Sequence, residues 1–145
     1  MATLPDRGPV STHPVDVGQR TEAIVLAELV KRGHRVLMPF GNNHRYDLVL
    51  DLEGKFVRVQ CKTGRLRRGV VLFAARSVRV NTKRVYFRDY QGDVDLFVVY
   101  CPDNDRVYAV PIDDATSTAG ALRVDPPANG QSKNIRWAAD YELPA

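Results

Sequence analysis

The stretch Arg45-Tyr-Asp47-Leu-Val-Leu-Asp51-Leu-Glu-Gly54-Lys-Phe-Val-Arg-Val-Gln60-Cys-Lys62 decides the fold. Tyr46 to Asp51 and Phe56 to Lys62 alternate apolar and polar side chains, which is strand patterning, and Glu53-Gly54 between them reads as a turn. A two-residue turn at Glu53-Gly54 sets Leu52 opposite Lys55, and a four-residue loop with Asp51 facing Phe56 gives the same register. Counting outward, Asp47 falls opposite Gln60, and directly opposed residues project to one face of a sheet. Lys62, two residues beyond Gln60, shares that face. Leu48, Val57, Val59 and Cys61 point the other way, toward a core.

Upstream, Asp16 can cap a helix running from Val17 to Arg32, and Gly33 stands where a left-handed C-terminal cap is wanted. Its buried stripe comprises Gly18, Val25, Leu26 and Leu29, with Glu22 on the same stripe. The sheet must bury that stripe, so Glu22 comes close to the strands. Residues 1–15, with Pro5, Pro9 and Pro14, read as a flexible N-terminal arm preceding a single domain over 16–145. Strands are expected at His34 to Met38, Val70 to Ala75, Asp95 to Tyr100 and Arg106 to Pro111. Turns fall at Gly41-Asn-Asn43, Pro102-Asp-Asn-Asp105 and Pro126-Pro-Ala-Asn-Gly130. The tail from Thr116 to Ala145 reads as polar, anchored by the lone Trp137. One helix followed by many strands predicts an α/β or α+β domain with a mixed sheet.

The 145 residues are 44% hydrophobic and 26% charged, an ordinary globular balance that excludes wholesale disorder. No apolar run is long enough to cross a membrane as a helix, so no membrane partner is expected. The first residues lack the apolar core of a secretory signal. Two cysteines, Cys61 and Cys101, can form neither a disulfide framework nor a four-cysteine zinc site, which points to a reducing, cytoplasmic setting, nucleoid-associated if the source is prokaryotic. The net charge of +4 conceals an uneven distribution. From Lys55 to Arg88 there are eleven Lys and Arg and no acid, which leaves ten basic against all seventeen acidic residues elsewhere. Such a block calls for a polyanionic partner, nucleic acid first. Arg65-Leu-Arg-Arg68 directly follows the polar face of the hairpin, and Arg79, Lys83 and Arg84 lie further along. These six cations are the candidate DNA contacts.

A carboxylate, an amide oxygen and a second carboxylate around one point suit a hard divalent cation, and a lysine beside them can serve an attacking water. These are the needs of phosphodiester hydrolysis. Other readings carry less. His44 is a polar loop residue, Cys61 is a small core hydrophobe, and Gly41-Asn-Asn43 lacks the lysine of a phosphate-cradling loop.

The order Glu22, Asp47, Gln60-Cys-Lys62 resembles the PD-(D/E)XK nuclease superfamily, whose core is a helix bearing Glu, a strand with Asp and a strand ending in (Asp/Glu)-x-Lys. Arg45-Tyr-Asp-Leu-Val49 and Val57-Arg-Val-Gln-Cys-Lys-Thr63 look closer still to its group I intron-type homing endonuclease branch. Val94 to Pro102, Val107 to Ile112 and Asn129 to Trp137 share that likeness. Archaeal Holliday junction resolvases are a more distant match. The resemblance implies a restriction-endonuclease-like core, a mixed β-sheet flanked by helices. It implies Mg²⁺, with Mn²⁺ able to substitute, held by Asp47, Gln60, the Cys61 backbone carbonyl and Glu22, with Lys62 at the nucleophilic water. It also implies cleavage of double-stranded or branched DNA to 5′-phosphate and 3′-hydroxyl ends. One centre per chain and two strands to cut imply a homodimer or homotetramer. The family's proline before the Asp is Tyr46 here, and its central acid is the neutral Gln60. A structure-selective nuclease of the resolvase kind, or a catalytically weak DNA-binding relative, are the alternatives.

Overall fold

The computed structural model describes residues 2–145. Helix α1 spans Pro14–Lys31, and its N-cap is His13 rather than Asp16. Pro14 is pre-set for the first helical position, so the helix starts three residues early, with the His13 ring accepting the Val15 N–H at 3.3 Å. Asp16 stays in the first turn, where its carboxylate accepts the Ser11 hydroxyl at 2.6 Å and faces the positive end of the helix dipole. Arg32 and Gly33, the latter at φ +83°, close the C-terminus as expected. The buried stripe is Thr21, Val25 and Leu29. Leu26 is half-buried, and Gly18 is exposed with open space where a Cβ would point; the packed part of the helix begins one turn later than its spacing implies.

Strands β1 (Arg35–Leu37), β2 (Leu48–Leu52) and β3 (Lys55–Thr63) follow. Glu53 and Gly54 both have positive φ, +54° and +88°, the geometry of a type I′ hairpin turn. The register is the expected one: Leu52↔Lys55, Asp51↔Phe56, Leu50↔Val57, Val49↔Arg58 and Leu48↔Val59. Next come β4 (Arg65–Arg67), β5 (Val70–Ala74), β6 (Arg76–Val80) and β7 (Val85–Asp89). The chain ends with β8 (Leu96–Cys101), β9 (Arg106–Pro111), β10 (Ala119–Arg123) and two single 3₁₀ turns at Ile112–Asp114 and Ala138–Asp140. β4, β10 and the β6–β7 hairpin are not among the strands legible beforehand.

The main sheet has the order β1-β2-β3-β8-β9. Only β3–β8 is parallel, so the sheet is mixed. Asp95 pins that parallel pair: its carboxylate accepts the Arg58 N–H at 2.9 Å and Arg58 Nε and Nη2 at 3.1 and 3.0 Å, while its own N–H reaches the Arg58 carbonyl at 3.0 Å. One face of the sheet packs Leu48, Leu50, Val59, Cys61, Val98 and Val107 against Val25 and Leu29 of α1. The other packs Phe97, Val99, Cys101, Tyr108 and Val110 against Val71 and Phe73 of β5 and Leu122 of β10. The single α/β domain with a mixed sheet is therefore as expected. A second sheet, β10-β5-β4, fills the side where a further flanking helix was anticipated.

The tail read as polar contains β10, in which Gly120 and Leu122 are buried and Ala119 and Ala121 exposed. Trp137 is half-buried, and its backbone bridges to Arg123 of the same tail. Gly120 lies opposite Phe73, and a Cβ there would sit 2.0 Å from the ring. Gly120→Ala should therefore destabilise the fold by about 1–3 kcal/mol through overpacking. Urea denaturation checks this, and Phe73→Leu in the same chain should recover part of the loss.

Candidate active site

The β2–β3 ladder breaks at Asp47. Asp47 donates its N–H to the Val59 carbonyl at 2.8 Å, and its Oδ2 accepts the Cys61 N–H at 2.8 Å. A side chain has taken the place of the next main-chain acceptor. The paired register ends at Leu48↔Val59, so Asp47 is placed by these two hydrogen bonds and not by a ladder pairing with Gln60. Gln60 and Lys62 are half-buried and register with Phe97 and Val99 of β8.

Lys62 Nζ donates to the Tyr90 hydroxyl at 3.1 Å and lies 4.6 Å from that ring's centroid. Tyr90, only 5% exposed, follows directly after β7 and meets Phe97 edge-on at 5.7 Å. Arg45 also stacks on Tyr90, at 4.3 Å. Its guanidinium donates to Asp93 at 3.1 Å, to the Ser77 hydroxyl at 2.8 Å and to the Asp89 carbonyl. Arg45 thus ties the β6–β7 hairpin to the segment that carries Asp47, rather than pairing with Asp47 itself.

Glu22 comes from α1. Its neighbour Thr21 bonds Thr63 hydroxyl to hydroxyl at 2.6 Å, which fastens the helix to the end of β3. Burial, and then the charge of Asp47, raise the Glu22 carboxyl above its ordinary value. Burial raises Asp47 as well, against the opposing pull of the Cys61 N–H and Lys62. Burial pushes the Cys61 thiol far up, with the charges of Asp47 and Glu22 adding to it, which disfavours the reactive thiolate. Among the described residues no three His, Cys, Asp or Glu side chains gather as a metal cage. The acids here are two, and further protein oxygen could come only from an amide or the main chain.

The candidate DNA contacts are divided between two elements. Arg65 and Arg67 lie on β4, with Arg68 just beyond, and Arg67 is 4.0 Å from Asp103. Arg79 lies on β6, and Lys83 and Arg84 in the β6–β7 turn. Arg79, Arg88, Tyr86 and Arg45 line a cavity of about 1060 Å³ beside the Tyr90 stack. Arg67 and Arg68 line a separate hollow with Arg123. Tyr90, Arg45, Thr21 and Thr63 escaped sequence reading. Tyr90 reaches the site from 28 residues beyond Lys62, where no local spacing reveals it, and the partners of Arg45, Thr21 and Thr63 are set only by tertiary packing.

A family model for PD-(D/E)XK endonucleases matches residues 12–144. The chain belongs to the PD-(D/E)XK endonuclease family. Among solved structures it is similar to a bacterial homing endonuclease, I-Ssp6803I, with 25% identity and a TM-score of 0.67 over 86% of this chain and 85% of that one. No curated protein matches it. The fold is thus the restriction-endonuclease-like fold of that homing endonuclease, and membership implies a phosphodiester hydrolase. No helix among the described residues is long and apolar enough to cross a membrane.

The raised carboxyls have a consequence for stability. Where the folded pKa exceeds the unfolded one, the ionised group opposes folding, and that penalty grows as pH rises through the folded value. Below the unfolded value, about 4 for Asp, both states are protonated and the penalty vanishes. Asp47→Asn keeps an oxygen for the Cys61 N–H and removes the charge. In chelating buffer at pH 7.5 it should melt above wild type, by on the order of 3 °C, with the gap closing toward pH 4. Calorimetric melts across that range check the sign.

Proposed function

We propose that this endonuclease cleaves double-stranded DNA with Mg²⁺, which Mn²⁺ can replace, at a centre formed by Asp47, Gln60, Glu22 and the Cys61 carbonyl, with Lys62 at the attacking water. The observation that carries the reading is the break in the β2–β3 ladder. There two carboxylates are both raised by burial, one of them also by the other, and Asp47 lies within reach of the charges of both Glu22 and Lys62. Hard oxygen donors of this kind suit magnesium. In an extended strand the N–H and C=O of one residue point to the same side. The Cys61 carbonyl therefore shares the edge at which its N–H meets Asp47. When bound, the metal supplies Lewis acidity to the scissile phosphate and lowers the pKa of a water. Lys62 would orient an attacking water and offset charge developing on the phosphoryl oxygens. The products carry 5′-phosphate and 3′-hydroxyl, and two chains, as a homodimer or within a tetramer, cut the two strands.

The neutral Gln60 favours a second reading, a catalytically weak DNA-binding relative, because an amide holds a divalent cation less firmly than a carboxylate. Plasmid nicking with and without Mg²⁺, beside linear duplex and four-way-junction substrates, decides between them. Mg²⁺-dependent cutting of duplex supports the first reading. Cutting of junctions alone points to a resolvase-like nuclease, and binding without cutting to the relative. Lys62→Ala should abolish cleavage with DNA affinity largely kept, and retained cleavage would remove Lys62 from the centre.

Gln60→Glu should tighten Mg²⁺ binding, because it adds a full charge beside Asp47. Isothermal calorimetry of both proteins measures it, and an unchanged affinity would remove residue 60 from the metal. Arg65, Arg67, Arg68, Arg79, Lys83 and Arg84 are cast as phosphate contacts. Five or six of them would give log K against log salt a slope of roughly −5 per subunit. A flat response would mark them as a solvated surface.

A further inference from the structure

Lys62 makes no ion pair with a carboxylate among the described residues. Its ammonium is instead held by one aromatic side chain, through the 3.1 Å hydrogen bond to the Tyr90 hydroxyl and the 4.6 Å approach to the ring. That ring is fixed from several sides. It is 5% exposed and edge-on to Phe97, the register partner of Gln60. Its main-chain carbonyl accepts the Asp93 and Val94 N–H groups at 3.0 and 3.1 Å. Arg45 stacks on it at 4.3 Å while bonding Asp93, Ser77 and Asp89.

A lysine that serves a water and a phosphate must be aimed without being neutralised. A carboxylate partner would aim it but compensate the charge that the reaction uses. A phenol oxygen and a ring face aim it through a neutral acceptor and a quadrupole. We propose that Tyr90 is a positioning residue that sets the orientation of the Lys62 ammonium. The proposal rests on the nuclease reading above. Tyr90 reaches no reacting atom and acts only through Lys62. Arg45 holds the ring in turn, so the base of the β6–β7 hairpin and the working lysine share one rigid support.

Tyr90→Phe keeps the ring and its packing and removes the hydroxyl. Its single-turnover cleavage rate under saturating enzyme should fall roughly 10- to 100-fold, the cost of a misplaced reacting group. DNA affinity should stay within about twofold and the melting temperature within about 3 °C. A merely structural role would instead lower stability or binding together with rate.

A second measurement is independent of activity. The nitrogen-15 resonance of the Lys62 side chain, assigned by its loss in Lys62→Arg, should move toward the position of solvent-exposed lysines in Tyr90→Phe. An unmoved resonance overturns the proposal whatever the rate. If wild type cleaves, Lys62→Ala is dead and Tyr90→Phe cleaves at the wild-type rate, the proposal fails while the nuclease reading stands. A wild type inert on every DNA substrate defeats that reading and this proposal with it.

Discussion

The 2.8 Å hydrogen bond from the Cys61 N–H to the Asp47 carboxylate joins two problems that the fold would otherwise solve separately. Where β2 leaves β3, the peptide N–H of Cys61 loses its ladder partner, and a buried donor without an acceptor costs roughly 1–3 kcal/mol. A carboxylate drawn into the same half-buried place is itself unfavourable unless it is hydrogen-bonded. Each satisfies the other. A strand end thus becomes an acid fixed against a rigid strand. The remaining polar groups meet at β3: Gln60 and Lys62 are set by its alternation, the Lys62 ammonium by Tyr90, and Glu22 by the Thr21–Thr63 bond.

That arrangement is electrostatically unbalanced. Asp47 and Glu22 are both raised, Glu22 partly by Asp47. The nearby lysine pulls on Asp47 without forming an ion pair with it, and gives its hydrogen bond to a phenol. Ion pairing elsewhere in the molecule is conventional, as in Arg58 with Asp95 and Arg45 with Asp93. A structural role would be better served by pairing Lys62 with Asp47 outright. Leaving both charges only loosely compensated makes sense for a centre that completes itself with a cation and a phosphate, where preorganised charge acts without reorganisation at the moment of reaction.

The hairpin could be read from sequence because its turn is local. Glu53-Gly54 fixes the register, and the register fixes which side chains share a face. The helix was legible for a similar reason, although Pro14 moved its start and Thr21 replaced Gly18 on its buried side. What could not be read was decided at long range. β10 is a strand because β5 offers it an edge and because Phe73 covers Gly120. The β6–β7 hairpin hides in a run of charges, since Val78, Val80, Val85 and Phe87 stay exposed and give no core signal. Tyr90 enters the site from a turn 28 residues beyond Lys62. The motif named the reacting groups, and the supporting shell was supplied by tertiary structure.

The position of the positive charge follows from topology rather than from composition. β3 and β8 are parallel neighbours, and parallel strands require a long crossover, most often a helix. This chain fills the crossover with β4 to β7 instead. The basic block is largely that crossover, so its cations leave the sheet where Lys62 ends β3's polar face. Counting charge overstates what is available there. Arg88 is bonded to Asp93, and Arg58, before the crossover, is committed to Asp95. Arg65, Arg68, Arg79, Lys83 and Arg84 remain exposed and without an ion pair within 4.0 Å among the described residues. A polyanion gains most from cations that it need not first separate from an acid. The crossover supplies five of them, on β4 and just beyond it, on β6 and in the β6–β7 turn.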